Sequence, residues 1–455
     1  MKIIIGGAGE VGFHLAKLLS NELNDIIIVD MDKEKLAFIE NNLDVMTFRG
    51  DITSFDALRE IKVDEADMFI TVTHLQNTNL TSAMIAKKMG AKKTIARISN
   101  PEFLHPDNQL WIRSLGIDTI ISPEQLAASE IYSLIQQSAF NTMHSFANGQ
   151  LFLVGTVLDK DAKIINKKFN EMYLTTKGGQ ENLFMPIAII RHNEKGEYYT
   201  IIPDQDTEFL IGDQIYFIVK KSGVIEVYKM LGKKQEYFKN IIVLGGGSIG
   251  VKTSRILKEN KHNVKIIEIN RHKAFDLADE MSNLLIINGD GRDGELLVEE
   301  GISDSDAFIA VTGSSETNIM SCLLAKSKGV KKTIALVENI DYIHLSQEVG
   351  INAFINKKLL TADSIFRYIR QGQVMDVAGI SDLDAEVLEF KIKENSEAAF
   401  QKISDFPYST NAVIAGIVRR NQGFIPTKDF VMEPLDRVVV FSQANLISKV
   451  TKYFK

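Results

Sequence analysis

The chain has 455 residues, enough for about three domains by length alone, with 45% hydrophobic and 24% charged residues, an ordinary balance for folded globular protein. A formal net charge of −7 excludes a basic surface of the kind that advertises nucleic acid or anionic lipid. One cysteine, Cys322, excludes a disulfide framework, and its place in a helical apolar pattern with Ile319 and Leu323 reads as buried packing.

The first stretch, Lys2-Ile3-Ile4-Ile5-Gly6-Gly7-Ala8-Gly9-Glu10-Val11-Gly12, is a short apolar strand running into G-x-G-x-x-G. Its apolar run of about three residues is too short for a signal peptide. An amphipathic helix (Val11, Leu15, Leu18, Leu19) follows, then a second strand, Ile26–Val29, ending on Asp30. Strand, glycines and acid together form the dinucleotide-binding fingerprint. Gly7 allows the tight turn, Gly9 lets backbone approach a pyrophosphate, and Gly12 lets the helix pack on the strand. The helix N-terminus offers free N–H groups to phosphate. Asp30 is placed to accept from a ribose diol and to repel a 2′-phosphate, so NAD is expected over NADP. The competing reading is a Rossmann-like layer whose glycines serve packing alone.

The pattern continues as helix 33–41, strand 45–48, the Arg49-Gly50-Asp51 turn, a short helix, and strand 68–72 leading to Thr73. Helix 77–89, strand 93–96 ending on Arg97, helix 101–115, strand 119–121 and helix 123–138 complete the module. Strands alternating with helices mean a parallel sheet, and the polar residues fall just past strand C-termini, where open α/β sheets bind ligands. At that rim Arg97 reads as a phosphate partner. From about Ser145 to Met230 the character changes to short strands, with turns at Asn193–Gly196 and Gly212-Asp213: a small α+β domain.

At Asn240 the first module begins again. Gly7 and Gly245, and Asp30 and Glu268, are 238 apart; Asp51 and Asp290, Thr73 and Thr312, and Asn79 and Asn318 are 239 apart. In the tail, Ile202-Pro203 and Asp213 return 223 residues later as Ile425-Pro426 and Asp436. The expected architecture is α/β, with two tandem Rossmann-like, doubly wound parallel-sheet domains, each followed by a small α+β (βαββ) domain. The boundaries are 1–140, 141–232, 233–371 and 372–455. The halves differ, since Leu336 stands where Arg97 stands in the first. Weaker binding, a different nucleotide and a structural role all stay open for the second site.

No H-E-x-x-H, C-x-x-C, nucleophile elbow or Walker A lysine-serine pair occurs, and the eight histidines form no metal-ligand cluster. His74, just past the fourth strand, is the best candidate for an NAD-dependent dehydrogenase, the alternative reading. The second repeat has Gly313 there, which favours a polar loop residue. No run approaches the ~20 apolar residues of a membrane span, so any membrane role is expected to be peripheral, through a partner.

With its N-terminal glycine fingerprint, Asp30, Gly50-Asp51, Thr73 with Asn77–Asn79 and Ala96-Arg97, all in a duplicated four-module order, the chain resembles the TrkA family. These are Trk-system potassium uptake proteins built of tandem RCK (KTN) domains. The resemblance covers essentially the whole chain. It implies a cytoplasmic regulator, peripheral on the inner face of the plasma membrane and not inserted in it, rather than an enzyme. It further implies NAD(H) and ADP/ATP as ligands, a homo-oligomeric ring (a tetramer of two-repeat chains) and a membrane potassium transporter of the TrkH/TrkG type as partner. The implied first site is Gly7, Ala8, Gly9, Glu10 and Val11 as phosphate loop, Asp30 as ribose acid, and Asp51, Ile52, Thr73, His74 and Arg97 around the pocket. The implied second site is Gly245, Gly246, Gly247, Ser248 and Ile249, with Glu268, Asp290 and Thr312. Leu336 departs from the pattern and puts an arginine–phosphate contact there in doubt.

Overall fold

Consecutive β-branched residues open each half of the chain, and each run becomes the central strand of a parallel sheet. A computed structural model describes residues 1–20, 24–136, 140–169, 171, 182–192, 198–233, 236–339, 342, 350–370, 374–380, 385–408 and 411–454. In the first sheet, β1 (Lys2–Gly6), β2 (Asp25–Asp30), β3 (Met46–Arg49), β4 (Met68–Thr71), β5 (Lys93–Arg97) and β6 (Thr119–Ile121) take the order 3-2-1-4-5-6. Ile3, Ile4 and Ile5 are fully buried, as expected for a strand covered on both faces. Each such side chain contributes roughly 1.5–3 kcal/mol. The order reverses between β1 and β4, the switch point where doubly wound sheets open a ligand crevice.

The helices α1 (Glu10–Ser20), α2 (Lys33–Asn42), α3 (Phe55–Glu60) and α4 (Gln76–Met89) follow from local signals. Val11, Gly12, Leu15, Ala16 and Leu19 give α1 a single buried face. Asp32 caps α2 by accepting from the Glu34 and Lys35 amides, and Ser54 caps α3 through the Ala57 amide. The helix expected over 101–115 is two pieces instead, a 3-10 turn Pro101–Leu104 and α5 (Pro106–Ser114). Pro106 supplies no N–H and disfavours helical backbone at the residue before it, and His105 is accordingly extended (φ −63°, ψ 135°). Helix α6 (Pro123–Gln136) closes the repeat; the last two residues of the helix expected to Ser138 lie outside the described residues.

Five antiparallel strands follow, β7 (Thr142–Phe146), β8 (Leu151–Val157), β9 (Phe184–His192), β10 (Tyr198–Ile201) and β11 (Gln214–Lys220), in the order 10-9-11-8-7, then a helix Val224–Met230. The turn expected at Asn193–Gly196 lies outside the described residues. The second parallel sheet repeats the first, with β12 (Asn240–Leu244), β13 (Asn263–Glu268), β14 (Leu285–Asn288), β15 (Ala307–Ala310), β16 (Lys332–Leu336) and β17 (Ala353–Ile355) in the order 14-13-12-15-16-17. The last sheet, β18 (Asp376–Gly379), β19 (Ala385–Lys391), β20 (Ala412–Arg419), β21 (Gln422–Phe424) and β22 (Arg437–Gln443), has the order 18-19-22-20-21.

These sheets sort into two units. One comprises Met1–Ile131 with Ile242–Ile369, the other Tyr132–Ile241 with Arg370–Lys455. In the second unit the two antiparallel sheets share one apolar core, including Leu151, Tyr216, Ile218, Val387, Val439 and Phe441. Each of these sheets also carries a buried bidentate ion pair. Arg191 Nε and Nη2 lie 2.8 Å from the Asp213 carboxylate oxygens, and Arg419 lies 2.9 and 2.7 Å from those of Asp436. The Asp213/Asp436 correspondence read from the repeat is therefore a shared lock. Cys322 is fully buried, its Sγ 3.4 Å from the Ile334 carbonyl oxygen, and burial pushes the thiol up.

The glycines at the β1–α1 turn differ in what they do. Gly7 has φ +113°, open to glycine at little cost. A Cβ at Gly12 would lie 1.9 Å from the Gly7 carbonyl oxygen, so helix and turn touch backbone to backbone. Gly12→Ala is expected to destabilise the protein by about 2 kcal/mol or more, read as a lowered melting temperature; an unchanged melting curve would show that this close packing is dispensable.

Candidate functional site

Where β1 and β4 diverge, the first repeat encloses a cavity of about 470 Å³. Its wall includes Gly7, Gly9, Glu10, Val11, Asp30, Asp51, Ile52, Thr73, His74 and Arg97, that is, every first-repeat residue expected from the sequence except Ala8. Ala8 takes part through its backbone, its amide donating to Asp30 Oδ2 at 2.7 Å. The Asp32 amide donates to Asp30 Oδ1 at 2.9 Å. Both carboxylate oxygens are thus fixed by main-chain donors, and each keeps a lone pair that can accept from a vicinal diol. The loop is held from the other side as well: Gly7 N donates to the Val29 carbonyl (2.9 Å) and Val72 N to that of Gly6 (2.8 Å). At the start of α1, the Gly9, Glu10 and Val11 amides belong to the first turn, which has no intrahelical acceptors for its donors.

The opposite rim is organised by Asn79, which is buried. Its Oδ1 accepts from Thr73 N (3.0 Å) and Thr73 Oγ1 (2.7 Å), and its Nδ2 donates to the carbonyls of Thr73 (3.0 Å) and Arg97 (2.9 Å). All four of its hydrogen-bonding positions are used, so one side chain fixes the ends of β4 and β5 together. Asp51 Oδ1 accepts from the Thr53 amide and hydroxyl, both at 2.8 Å, shaping the turn that carries Ile52. His74 is exposed at the edge.

Sequence reasoning missed two cations on the wall, Lys35 and Lys358. Lys35 lies in the first turn of α2, near Asp30 in sequence. Lys358 belongs to the second repeat, and no local pattern could have found it.

The second repeat reproduces the frame with different chemistry. Asn318 holds Thr312 (2.9 Å to N, 2.7 Å to Oγ1) and the carbonyls of Thr312 and Leu336 (3.2 and 2.8 Å) as Asn79 does in the first. Glu268 accepts from the amides of Gly246 and Asn270, both at 2.9 Å. Unlike Asp30 it also meets a lysine, Lys273 Nζ at 3.1 Å. Asp290 is gripped by Arg292 (Nη2–Oδ2 2.7 Å), at the position equivalent to Thr53. Gly245, Gly246 and Ile249 are buried, whereas Ser248 is exposed and Gly247 half-buried in the loop.

Burial raises the Glu268 carboxyl, but the Asn270 amide, Lys273 and the Gly246 amide outweigh it and hold the group below its ordinary value. A depressed native pKa means stability that is complete above the unfolded value of 4.5 and lost as pH falls through the lower native one. Glu268→Gln, which turns an amide NH2 toward a backbone donor, is expected to cost about 1–3 kcal/mol at pH 7. Its melting-temperature deficit should shrink as pH drops below 4.5; a deficit independent of pH would contradict an ionised Glu268.

Residues 3–123 and 241–357 match the TrkA-N domain family, and residues 387–455 match the TrkA-C domain family. The chain is 31% identical to the Trk system potassium uptake protein TrkA homolog 1 of Methanosarcina mazei, over 100% of both chains. It is 30% identical to the Trk system potassium uptake protein TrkA of Halomonas elongata, over 97% of this chain and 95% of that one. Among solved structures, the GsuK RCK domain superposes on 99% of this chain and 94% of its own length with a TM-score of 0.59 at 14% identity. A GsuK channel bound to NAD gives 0.59 at 14% identity, over 99% of this chain and 78% of the channel. A GsuK bound to ADP gives 0.51 at 12%, over 82% and 69%. At these identities the likeness to the solved structures is one of fold.

Proposed function

The chain belongs to the TrkA family, regulatory proteins of potassium transport rather than enzymes, and from that premise we propose that it is the nucleotide-reading subunit of a Trk-type potassium uptake system. In this reading the first-repeat cavity takes the adenosine-diphosphate portion common to NAD(H), ADP and ATP. One observation carries it: the fingerprint loop, Asp30, Thr73 and Arg97 all line a single cavity of nucleotide size. The phosphates lie against the Gly9–Val11 amides, the ribose diol binds Asp30, and Arg97 supplies charge to the phosphate chain. The described residues of Arg97's surroundings give its guanidinium no ion-pair partner, which leaves it free for that role. Relatives of the same fold bound to NAD and to ADP support the choice of ligands.

The partner is a membrane potassium transporter of the TrkH/TrkG type, reached through a ring of these chains on the cytoplasmic face. No described helix is long and apolar enough to cross a membrane. Gating follows from population shift. A nucleotide moves the equilibrium between two ring conformations only by its differential affinity for them, ~1.4 kcal/mol for each tenfold shift. NAD(H) and ATP compete for the same portion of the site and differ beyond it, in the nicotinamide half or the γ-phosphate. Identical effects of ATP and ADP on ring conformation would contradict this mechanism.

Gly9→Ala separates binding from folding. A Cβ at Gly9 meets no atom within 4 Å, so stability should stay within about 0.5 kcal/mol of the wild type. The methyl group projects from the loop where phosphate must approach, so binding of ADP, ATP and NADH should fall at least tenfold by calorimetry. In cells lacking the protein, rubidium uptake should be restored by the wild type and mis-set by Gly9→Ala. Uptake indifferent to deletion and complementation alike would refute the transport role.

A further inference from the structure

The cavity wall of the first repeat includes one residue from the second. Lys358 lies in the first turn of the helix Lys357–Arg370, 348 positions from Glu10, and its Nζ is 2.8 Å from Glu10 Oε1 and 3.0 Å from Glu338 Oε2. Three observations make this a built position. The side chain is only 24% exposed although it carries a charge. The backbone beneath it is capped, the Asn356 Oδ1 accepting from the Lys358 and Leu359 amides at 2.9 and 3.1 Å. Asn356 Nδ2 in turn donates to the Glu338 carbonyl (3.1 Å), and Lys357 Nζ sits 2.6 Å from Glu338 Oε1.

Glu10 is the partner that does not fit a nucleotide site. It stands at the first helical position of α1, where the loop amides await an anion, and its carboxylate opposes any phosphate that arrives there. While the cavity holds no anion, Lys358 neutralises that carboxylate. Burial lowers the lysine's pKa, and its bonds to Glu10 and Glu338 more than restore it, so the ammonium stays charged. The duplication does not repeat this lysine. The helices Pro123–Gln136 and Lys357–Arg370 correspond, and the residue matching Lys358 is Glu124; the residue matching Glu10 is Ser248.

Building on the adenine-nucleotide reading above, we propose that Lys358 is a phosphate ligand of the first-repeat cavity, exchanging Glu10 for the phosphate chain of the bound nucleotide while keeping Glu338. The exchange makes the cavity favour the more highly charged chain of a nucleoside triphosphate over the pyrophosphate of a dinucleotide. It also makes the contact between the two repeats depend on what the cavity holds.

The test is calorimetric titration of the full-length protein with ATP, ADP and NADH, without added divalent cation. Lys358→Met should weaken ATP at least tenfold, about 1.4 kcal/mol, and NADH less than threefold, with Lys358→Arg recovering most of the ATP affinity. Glu10→Gln breaks the same ion pair yet should tighten ATP, because it removes the competing carboxylate and leaves the cation in place. That opposite sign is what a merely structural strut cannot produce. Equal losses of ATP and NADH in Lys358→Met, no loss at all, or weakened ATP in Glu10→Gln would each overturn the assignment of Lys358. Where Lys358→Met does not fold, the Glu10→Gln and Lys358→Arg titrations decide by the same criteria. Those failures leave the nucleotide reading standing if the wild type binds and Gly9→Ala does not. A wild type that binds none of the three ligands overturns both.

Discussion

In each parallel-sheet repeat, an acidic side chain at the end of the second strand accepts a hydrogen bond from the second amide of the glycine loop. Asp30 takes it from Ala8 and Glu268 from Gly246, at 2.7 and 2.9 Å. The bond closes a gap of 22 residues and ties the loop to the neighbouring strand. The first turn of the following helix then has only one place to be. Conformational freedom that a ligand would otherwise have to remove is already gone, the condition under which a few polar contacts suffice for affinity. Gly12 and Gly250 complete the constraint, since each lets helix backbone touch the loop carbonyl at a distance that no Cβ tolerates.

On this shared frame the two repeats have placed their charges differently. In the first, main-chain amides of Ala8 and Asp32 are the donors to the Asp30 carboxylate among the described residues, and Arg97 and Lys35 stand on the cavity wall. In the second, the acid is one carbon longer and already paired with Lys273, Asp290 is clasped by Arg292, and Leu336 fills the place of the arginine. A ribose at Glu268 must compete with an ammonium that is in position, and a phosphate finds Leu336 where the first repeat offers a cation. Glu268 and Asp290 thus each carry a cation partner from their own repeat. Equivalent topology therefore carries unequal placement of charge.

The parts of this arrangement that sequence exposes are those encoded locally or by repetition. Strand, glycine spacing and terminal acid lie within thirty residues, so the loop and Asp30 are readable at once, and a nearly constant offset carries the expectation to Glu268 and Thr312. The same offset flagged Asn79 and Asn318 without disclosing what they do, because bridging two strand ends is a property of the sheet order and not of any spacing along the chain. The break at Pro106 was present in the sequence, and the helical pattern around it obscured it. Lys358 was beyond reach in principle: it enters the first cavity from 348 residues away, in a helix whose own pattern is ordinary.

That distance bears on how a binding site comes to regulate anything. A ligand held only by groups of one rigid repeat has the same affinity whatever the rest of the molecule does, and however tightly it binds it shifts no equilibrium. The glycine loop, Asp30, Thr73 and Arg97 all belong to one repeat, so in the proposed reading they supply affinity for a nucleotide but no coupling. Coupling needs a contact whose strength depends on both the ligand and a second element. The Glu10–Lys358–Glu338 chain has that form, for it joins the phosphate end of one repeat to a helix of the other through charges that a phosphate can redistribute. The nicotinamide half of a dinucleotide and the terminal phosphate of a triphosphate differ most in charge, and charge is what the exchange proposed for Lys358 would read.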